Sequence, residues 1–255
     1  MNHAGRLTSV LLIAAGIQLP SAHAALVTVC GNSICYEYDN DVTYNAGIAL
    51  FGAPTLIMGS DTLKFTPTAF NADSDPATGD IPGPTVTAVF QFTRVYTTNG
   101  GEIASITVTE EGDYQIIDGG ASTGYVNVNM RLQSVDNVID SGSGGLPEVL
   151  NPLFNWNSTT PTGLALANWS LTGTITPAAS FTDLANDIDL QIQNTLQACS
   201  SMLPGQCTNG TDYALIAKKL SLTATSTIPV VPVPAAAWLF ASAIGVLGWT
   251  RRRRQ

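Results

Sequence analysis

The chain has 255 residues and a formal charge of −9, yet its charges are unevenly placed: all nineteen acidic residues fall within residues 25–234, with only Lys64, Arg94, Arg131, Lys218 and Lys219 to offset them. That body carries 5 − 19 = −14, which opposes binding to nucleic acid or to an anionic lipid surface, so no nucleic-acid partner is expected. Both histidines, His3 and His23, precede it, so neither a Ser-His-Asp triad nor a Cys-His pair can be assembled inside it.

Residues 1–24 read as a secretory signal. Arg6 lies in the leading segment, Val10 to Ile17 is apolar, and Pro20 precedes the small-x-small site Ala22-His23-Ala24, after which signal peptidase would cut. Residues 25–227 then form the exported domain. Ala25 to Cys30 and Ile34 to Tyr38 read as a hairpin clipped by a Cys30–Cys35 disulfide, and Cys199 with Cys207 forms a second sequence-local pair. Without body histidines or a Cys-x-x-Cys spacing, disulfides are expected in place of zinc.

Strand signals continue at Thr62 to Thr66 and at Thr85 to Tyr96, where Val86, Ala88, Phe90 and Phe92 share one face and Thr87, Gln91 and Thr93 the other. Asn99-Gly100-Gly101 reads as a hairpin turn into Glu102 to Thr109, and Gly112 to Ile117 as the next strand of a meander. Gly124 to Val135 alternates cleanly, with Val126, Val128, Met130 and Leu132 against Asn127, Asn129, Arg131 and Gln133. Residues 140–163 read as a long surface excursion, tacked down by Leu150, Leu153, Phe154 and Trp156. Strand pattern resumes over Leu164 to Thr176 with Trp169, Leu171 and Ile175 on one side. A strand is expected over Asp187 to Gln193, while the spacing also admits a short helix near 180–190, and Ala214 to Thr227 closes the domain with Leu220 and Leu222 inward. The fold class is all-β, an antiparallel, jelly-roll-like β-sandwich followed by a C-terminal transmembrane helix.

Candidate chemistry is sparse. Glu102, Glu110, Glu111, Asp113 and Glu148 could supply a carboxylate pair for glycoside cleavage, against the plainer reading that they solvate strand ends. Asn71, Asp73, Asp75 and Asp80 place oxygens at alternate positions, as a calcium loop would, although Pro76 and Pro82 stand where an EF-hand needs Gly and Glu. No other cofactor is expected. Trp156, in a loop, is open to sugar stacking, whereas Trp169 alternates as core. Asn157, Asn168 and Asn209 head N-x-S/T sequons.

The tail is the most specific stretch. After Pro234 a helix can run without charge from Ala235 to Trp249, about 22 Å at about 1.5 Å per residue, short of a bilayer core of about 30 Å. Arg251, Arg252, Arg253 and Arg254 would hold its end on the cytoplasmic side and leave the body outside. Pro232-Val233-Pro234-Ala235-Ala236, then Trp238 and the apolar run, then the arginine cluster, resembles the PEP-CTERM sorting signal of Gram-negative bacteria. Val233 stands where the name-giving motif has Glu, a form that tails of the Val-Pro-x-Pro-Ala-Ala-x-Trp-Leu-Phe type share. The resemblance covers residues 228–255 alone. It implies recognition by an exosortase, a transient inner-membrane anchor through the helix, cleavage near the motif, and delivery to the cell surface or extracellular matrix. It further implies association with exopolysaccharide, biofilm and floc. Three readings follow: a non-enzymatic surface or matrix protein, a surface module binding carbohydrate or calcium, and a carboxylate-dependent glycosidase.

Overall fold

A computed structural model of the chain describes residues 26–74, 84–117, 124–137, 146–203, 206–208 and 213–226, with the backbone alone at 202–203, 206–208 and 219–221. In chain order the elements are β1 (Leu26–Cys30), β2 (Ile34–Asp39), α1 (Ile48–Phe51), β3 (Thr55–Leu56), β4 (Thr62–Phe65), β5 (Asn71–Ser74) and β6 (Thr85–Thr97). Next come β7 (Ile103–Ile117), β8 (Tyr125–Asp136), β9 (Val149–Leu150), β10 (Leu153–Ser158), β11 (Ala167–Ile175) and α2 (Pro177–Ser180). The last are β12 (Asp187–Cys199), β13 (Ser201–Leu203), β14 (Gln206–Thr208), β15 (Tyr213–Ala217) and β16 (Lys219–Ser226).

Two seven-stranded antiparallel sheets form a β-sandwich. The first runs β1-β2-β6-β12-β8-β10, with β9 also on β8. The second runs β3-β4-β16-β7-β15-β5, with β11 on the far side of β7; β13 and β14 pair separately. In this second sheet β15 and β16 lie along β7 in one register, Ile216 opposite Tyr114 and Lys219 opposite Glu111, so residues 213–226 act as one strand interrupted at 217–218.

Because side chains alternate across a strand, each long strand sends every second residue into the space between the sheets. Ala88, Phe90 and Phe92 enter from β6, Val126, Val128, Met130 and Leu132 from β8, and Ile188, Leu190, Ile192, Leu196 and Ala198 from β12. Ile106, Val108, Tyr114 and Ile116 from β7 meet them, with Ala214, Ile216, Leu222 and Ala224 beside these. Aromatic rings concentrate at one place: Phe90 lies 4.9 Å from Phe92 and 5.0 Å from Phe65, and Phe51 lies 5.3 Å from Phe70. Truncating such a ring costs about 3–5 kcal/mol. The outer faces carry hydroxyl pairs across neighbouring strands, Thr107 with Thr174 at 3.0 Å, Ser105 with Thr225 at 2.7 Å and Thr87 with Thr195 at 3.0 Å.

Several expectations are corrected. The strands on either side of Asn99-Gly100-Gly101 do not form a hairpin: β6 pairs with β2 and β12, and β7 belongs to the other sheet. The turn is an arch between sheets, its two limbs held by Thr97 N–H on Asn186 O (3.0 Å) and Ile103 N–H on Ala185 O (2.7 Å). Gly112 lies within continuous β7 and does not begin a new strand. The 140–163 excursion contains β9 and β10, both paired to β8. The short helix sits at Pro177–Ser180, ahead of the expected 180–190, because Pro177 pre-sets a first helical turn, and the strand after it runs on to Cys199. Among the described residues no helix is long and apolar enough to cross a membrane; the apolar span from Ala235 lies outside them.

Candidate functional site

Three inward-facing stripes each carry one polar residue where an apolar one is due. On β7 it is Glu110, between Val108 and Tyr114; on β12 it is Asn194, between Ile192 and Leu196; in the third it is Lys218, between Ile216 and Leu222. Lys218 belongs to the strand beside β7, and Asn194 to the centre of the facing sheet, so the pattern of alternation brings all three to one point in the core.

Lys218 Nζ lies 2.8 Å from Glu110 Oε1, and neither side chain has exposed surface. Asn194 Nδ2 donates a hydrogen bond to the same oxygen. The ammonium also sits over the rings of Phe51 at 4.8 Å and Phe70 at 4.7 Å. Burial pushes Lys218 down to about 8, with the Glu110 charge working against the shift; burial pushes Glu110 up, with Lys218 opposing it. Both directions favour the neutral amine and acid. Glu110 Oε2 and Asn194 Oδ1 are buried without a hydrogen-bond partner.

The break at 217–218 has a local cause. Trp169 on β11 is opposite Gly112 of β7, and its Nε1–H donates to Ala217 O at 2.9 Å. The indole therefore crosses β7 over a residue with no side chain. A Cβ on Gly112 would overlap the Ala217 carbonyl and come within 2.6 Å of Trp169 Nε1.

The remaining carboxylates separate into distinct environments. Glu111 and Asp113, two apart on the other face of β7, line a cleft of about 420 Å³ with Gly112, Asn168, Trp169 and Ser170. Glu110 is their neighbour in sequence but points the other way, so it forms no pair with them. Glu148 accepts from Thr182 N–H (2.6 Å) and Oγ1–H (2.9 Å), and it clusters with Asp136 and Asp183, one oxygen from each within 4.8 Å of the others. These are the described residues best arranged to converge on a cation. Glu102 stands just ahead of β7.

The first part of the expected 71–80 loop is instead strand β5, Asn71–Ser74, in register with β15, which fixes Asp73 opposite Leu215. Asp75 and Asp80 lie outside the described residues. Trp156 is on β10 and not in a loop; it packs at 5.7 Å on Trp169 and 5.3 Å on Tyr114. Asn157 and Asn168 are strand residues, and Asn209 is outside the description.

Cys30 and Cys35 are disulfide-bonded. Cys199 is disulfide-bonded as well, while the side chain of its expected partner, Cys207, lies outside the description. Beside the first clip, Asp61 accepts from Ser33 Oγ–H (2.7 Å), Ser33 N–H (2.9 Å) and Ile34 N–H (3.1 Å). Partial burial alone would raise the Asp61 carboxyl, but these donors hold it below its ordinary range. Signal residues Ala22 and Ala24, sorting residues Pro232, Val233, Pro234, Ala235, Ala236 and Trp238, and Arg251 to Arg254 all lie outside the described residues.

Sequence offered a signal for the buried cluster that charge counting overlooked. A lysine, an acid and an amide each fell on the inward parity of an otherwise apolar alternation.

No protein-family model and no curated protein matches the chain. Among solved structures it is similar to a chain in the structure of infectious bursal disease virus Gx strain, with 9% identity and a TM-score of 0.29. The match covers 67% of this chain and 36% of that one, so this chain spans about a third of that neighbour's length.

Proposed function

We propose that this is an exported surface or extracellular-matrix protein with a structural, adhesive role in biofilm, exopolysaccharide or floc formation. The carrying observation is the order Pro232-Val233-Pro234, apolar run, Arg251 to Arg254, at the end of a chain whose leader closes on Ala22-His23-Ala24. Signal peptidase and an exosortase are its processing partners, and exopolysaccharide is the neighbouring material. The antiparallel sandwich, read as jelly-roll-like, supports this role. Its polar investment goes into holding strands together: Glu110 is committed to the core, Glu148 to Thr182, and Asp61 to the clipped hairpin.

Mass spectrometry of the C-terminal peptide from surface-exposed protein is the test. The mature chain is expected to end near Pro234, and Pro232→Ala with Pro234→Ala should insert normally yet stay full length in the inner membrane. Residues 235–255 still attached at the surface would overturn sorting and leave a plain anchor. Loss of sugar hydrolysis on Glu111→Gln or Asp113→Asn would favour the glycosidase reading. Specific retention on a polysaccharide column without product would favour a binding module.

A further inference from the structure

We propose that Lys218 and Asn194 become joined by an amide bond between their side chains, an isopeptide crosslink that welds one sheet of the sandwich to the other, with Glu110 as the catalytic proton carrier. The parts are an amine, a carboxamide and a carboxyl group sealed from water. Both nitrogens that must exchange a proton, Lys218 Nζ and Asn194 Nδ2, already hydrogen-bond to the same oxygen, Glu110 Oε1.

The reaction balances without a co-reactant. In the neutral form of the pair, toward which burial shifts both groups, Lys218 is a free amine and Glu110 a carboxylic acid. The Nζ lone pair attacks Cγ of Asn194, forming the Nζ–Cγ bond and a tetrahedral centre whose oxygen derives from Oδ1. The Cγ–Nδ2 bond then breaks. Glu110 takes one proton from Nζ and supplies one to Nδ2, which departs as ammonia, and the acid ends in the state in which it began. An amine and a primary amide have become a secondary amide and ammonia.

Four features favour this over a permanent ion pair. Fixing amine and amide on one oxygen replaces a bimolecular encounter, an effect worth about 10⁵ M or more in effective concentration when alignment is good. A positioned acid–base group adds about 10²–10⁴-fold. Moreover, the ion pair leaves Glu110 Oε2 and Asn194 Oδ1 both as buried acceptors without donors, whereas a proton on Oε2 makes that atom a donor. The rings of Phe51 and Phe70 close the site to the water that would otherwise hydrate the amine.

The experiment is mass spectrometry of the full chain, expressed with its leader and tail, reduced and then digested with trypsin and a protease that cuts before aspartate. Cleavage before Asp189 and Asp212 places Asn194 and Lys218 on different peptides. The expected product is one branched peptide containing both, lighter than the sum of its parts by about 17 Da, the mass of ammonia. Lys218→Arg and Asn194→Ala should each abolish the branch, and Glu110→Gln should abolish it or slow it at least about 100-fold, with circular dichroism confirming that each variant is folded. The wild-type digest decides independently of any variant's stability. A linear peptide with a free Lys218 amine, or a 17 Da loss mapped to another site such as a cyclised Asn99-Gly100, would overturn the proposal.

Discussion

Trp169 and Ala217 are hydrogen-bonded at 2.9 Å although strand β7 runs between them. The contact exists because Gly112 leaves the indole a path, and it takes the Ala217 carbonyl out of the sheet at the point where β15 gives way to β16. Gly112→Ala should therefore destabilise the fold by at least about 2 kcal/mol, since the new methyl meets backbone that cannot rotate aside. Trp169→Phe, which keeps most of the ring but removes the donor, should cost about 1–2 kcal/mol. Urea denaturation of both variants checks the order, and equal losses would contradict this account.

Asp61 makes the sandwich acid-sensitive at one end. Its folded pKa is depressed below the ordinary 3.8, so its stabilising effect is complete above that value and disappears as pH falls through the folded one. Asp61→Asn should lower the melting temperature at neutral pH by an amount worth about 1 kcal/mol, and the gap to wild type should close on acidification below the ordinary carboxylate range. Melting curves from pH 7 to about 2 test the sign.

Peptide mapping without reduction should recover Cys30 joined to Cys35 and Cys199 joined to Cys207. Replacing Cys30 and Cys35 together by Ser should cost about 2 kcal/mol, the loop-closure entropy of so short a ring. A bridge between the two pairs would remove the picture of separate local clips.

Calcium and magnesium should raise the melting temperature alike, through relief of self-repulsion in an acidic body. Asp73→Asn should leave that response unchanged, because β5 fixes the residue in a paired strand. A calcium-specific shift abolished by Asp136→Asn or Asp183→Asn would instead place a bound ion at the Glu148 cluster and favour the binding-module reading.

Much of the fold was legible where burial follows parity. The Val126, Val128, Met130 and Leu132 stripe is fully buried, and Trp169 is core, as alternation requires. The arch at Gly100 was not legible, because two alternating strands around a glycine turn look the same whether they pair or face each other. What decides is which strands flank β6, and these are β2 and β12, the latter about 100 residues away in the chain. The 150–158 segment was misread because β10 is an edge strand of only six residues, in which Phe154 and Trp156 turn inward while Leu153 stays exposed, so its alternation is short and incomplete. Glu110 was visible only as an acid among acids. Its meaning depends on Lys218 and Asn194, which sit on the right parity but on strands that no local pattern places together.

The Ser226 hydroxyl donates to Ser33 Oγ (2.9 Å) and accepts from Asn99 Nδ2 (2.9 Å), so the end of β16 lies beside the disulfide-clipped hairpin. From there back to Lys219, β16 pairs with β7, with one register shift between Thr225 and Ser226, and with β4 over Leu220 to Thr223. A pull on the C-terminal end along the strand axis would load these ladders in shear, so that many hydrogen bonds must give at once, where a perpendicular pull would unzip them singly. Forced unfolding is governed by the height of such a barrier, so tension along this axis should be resisted far longer than tension across it.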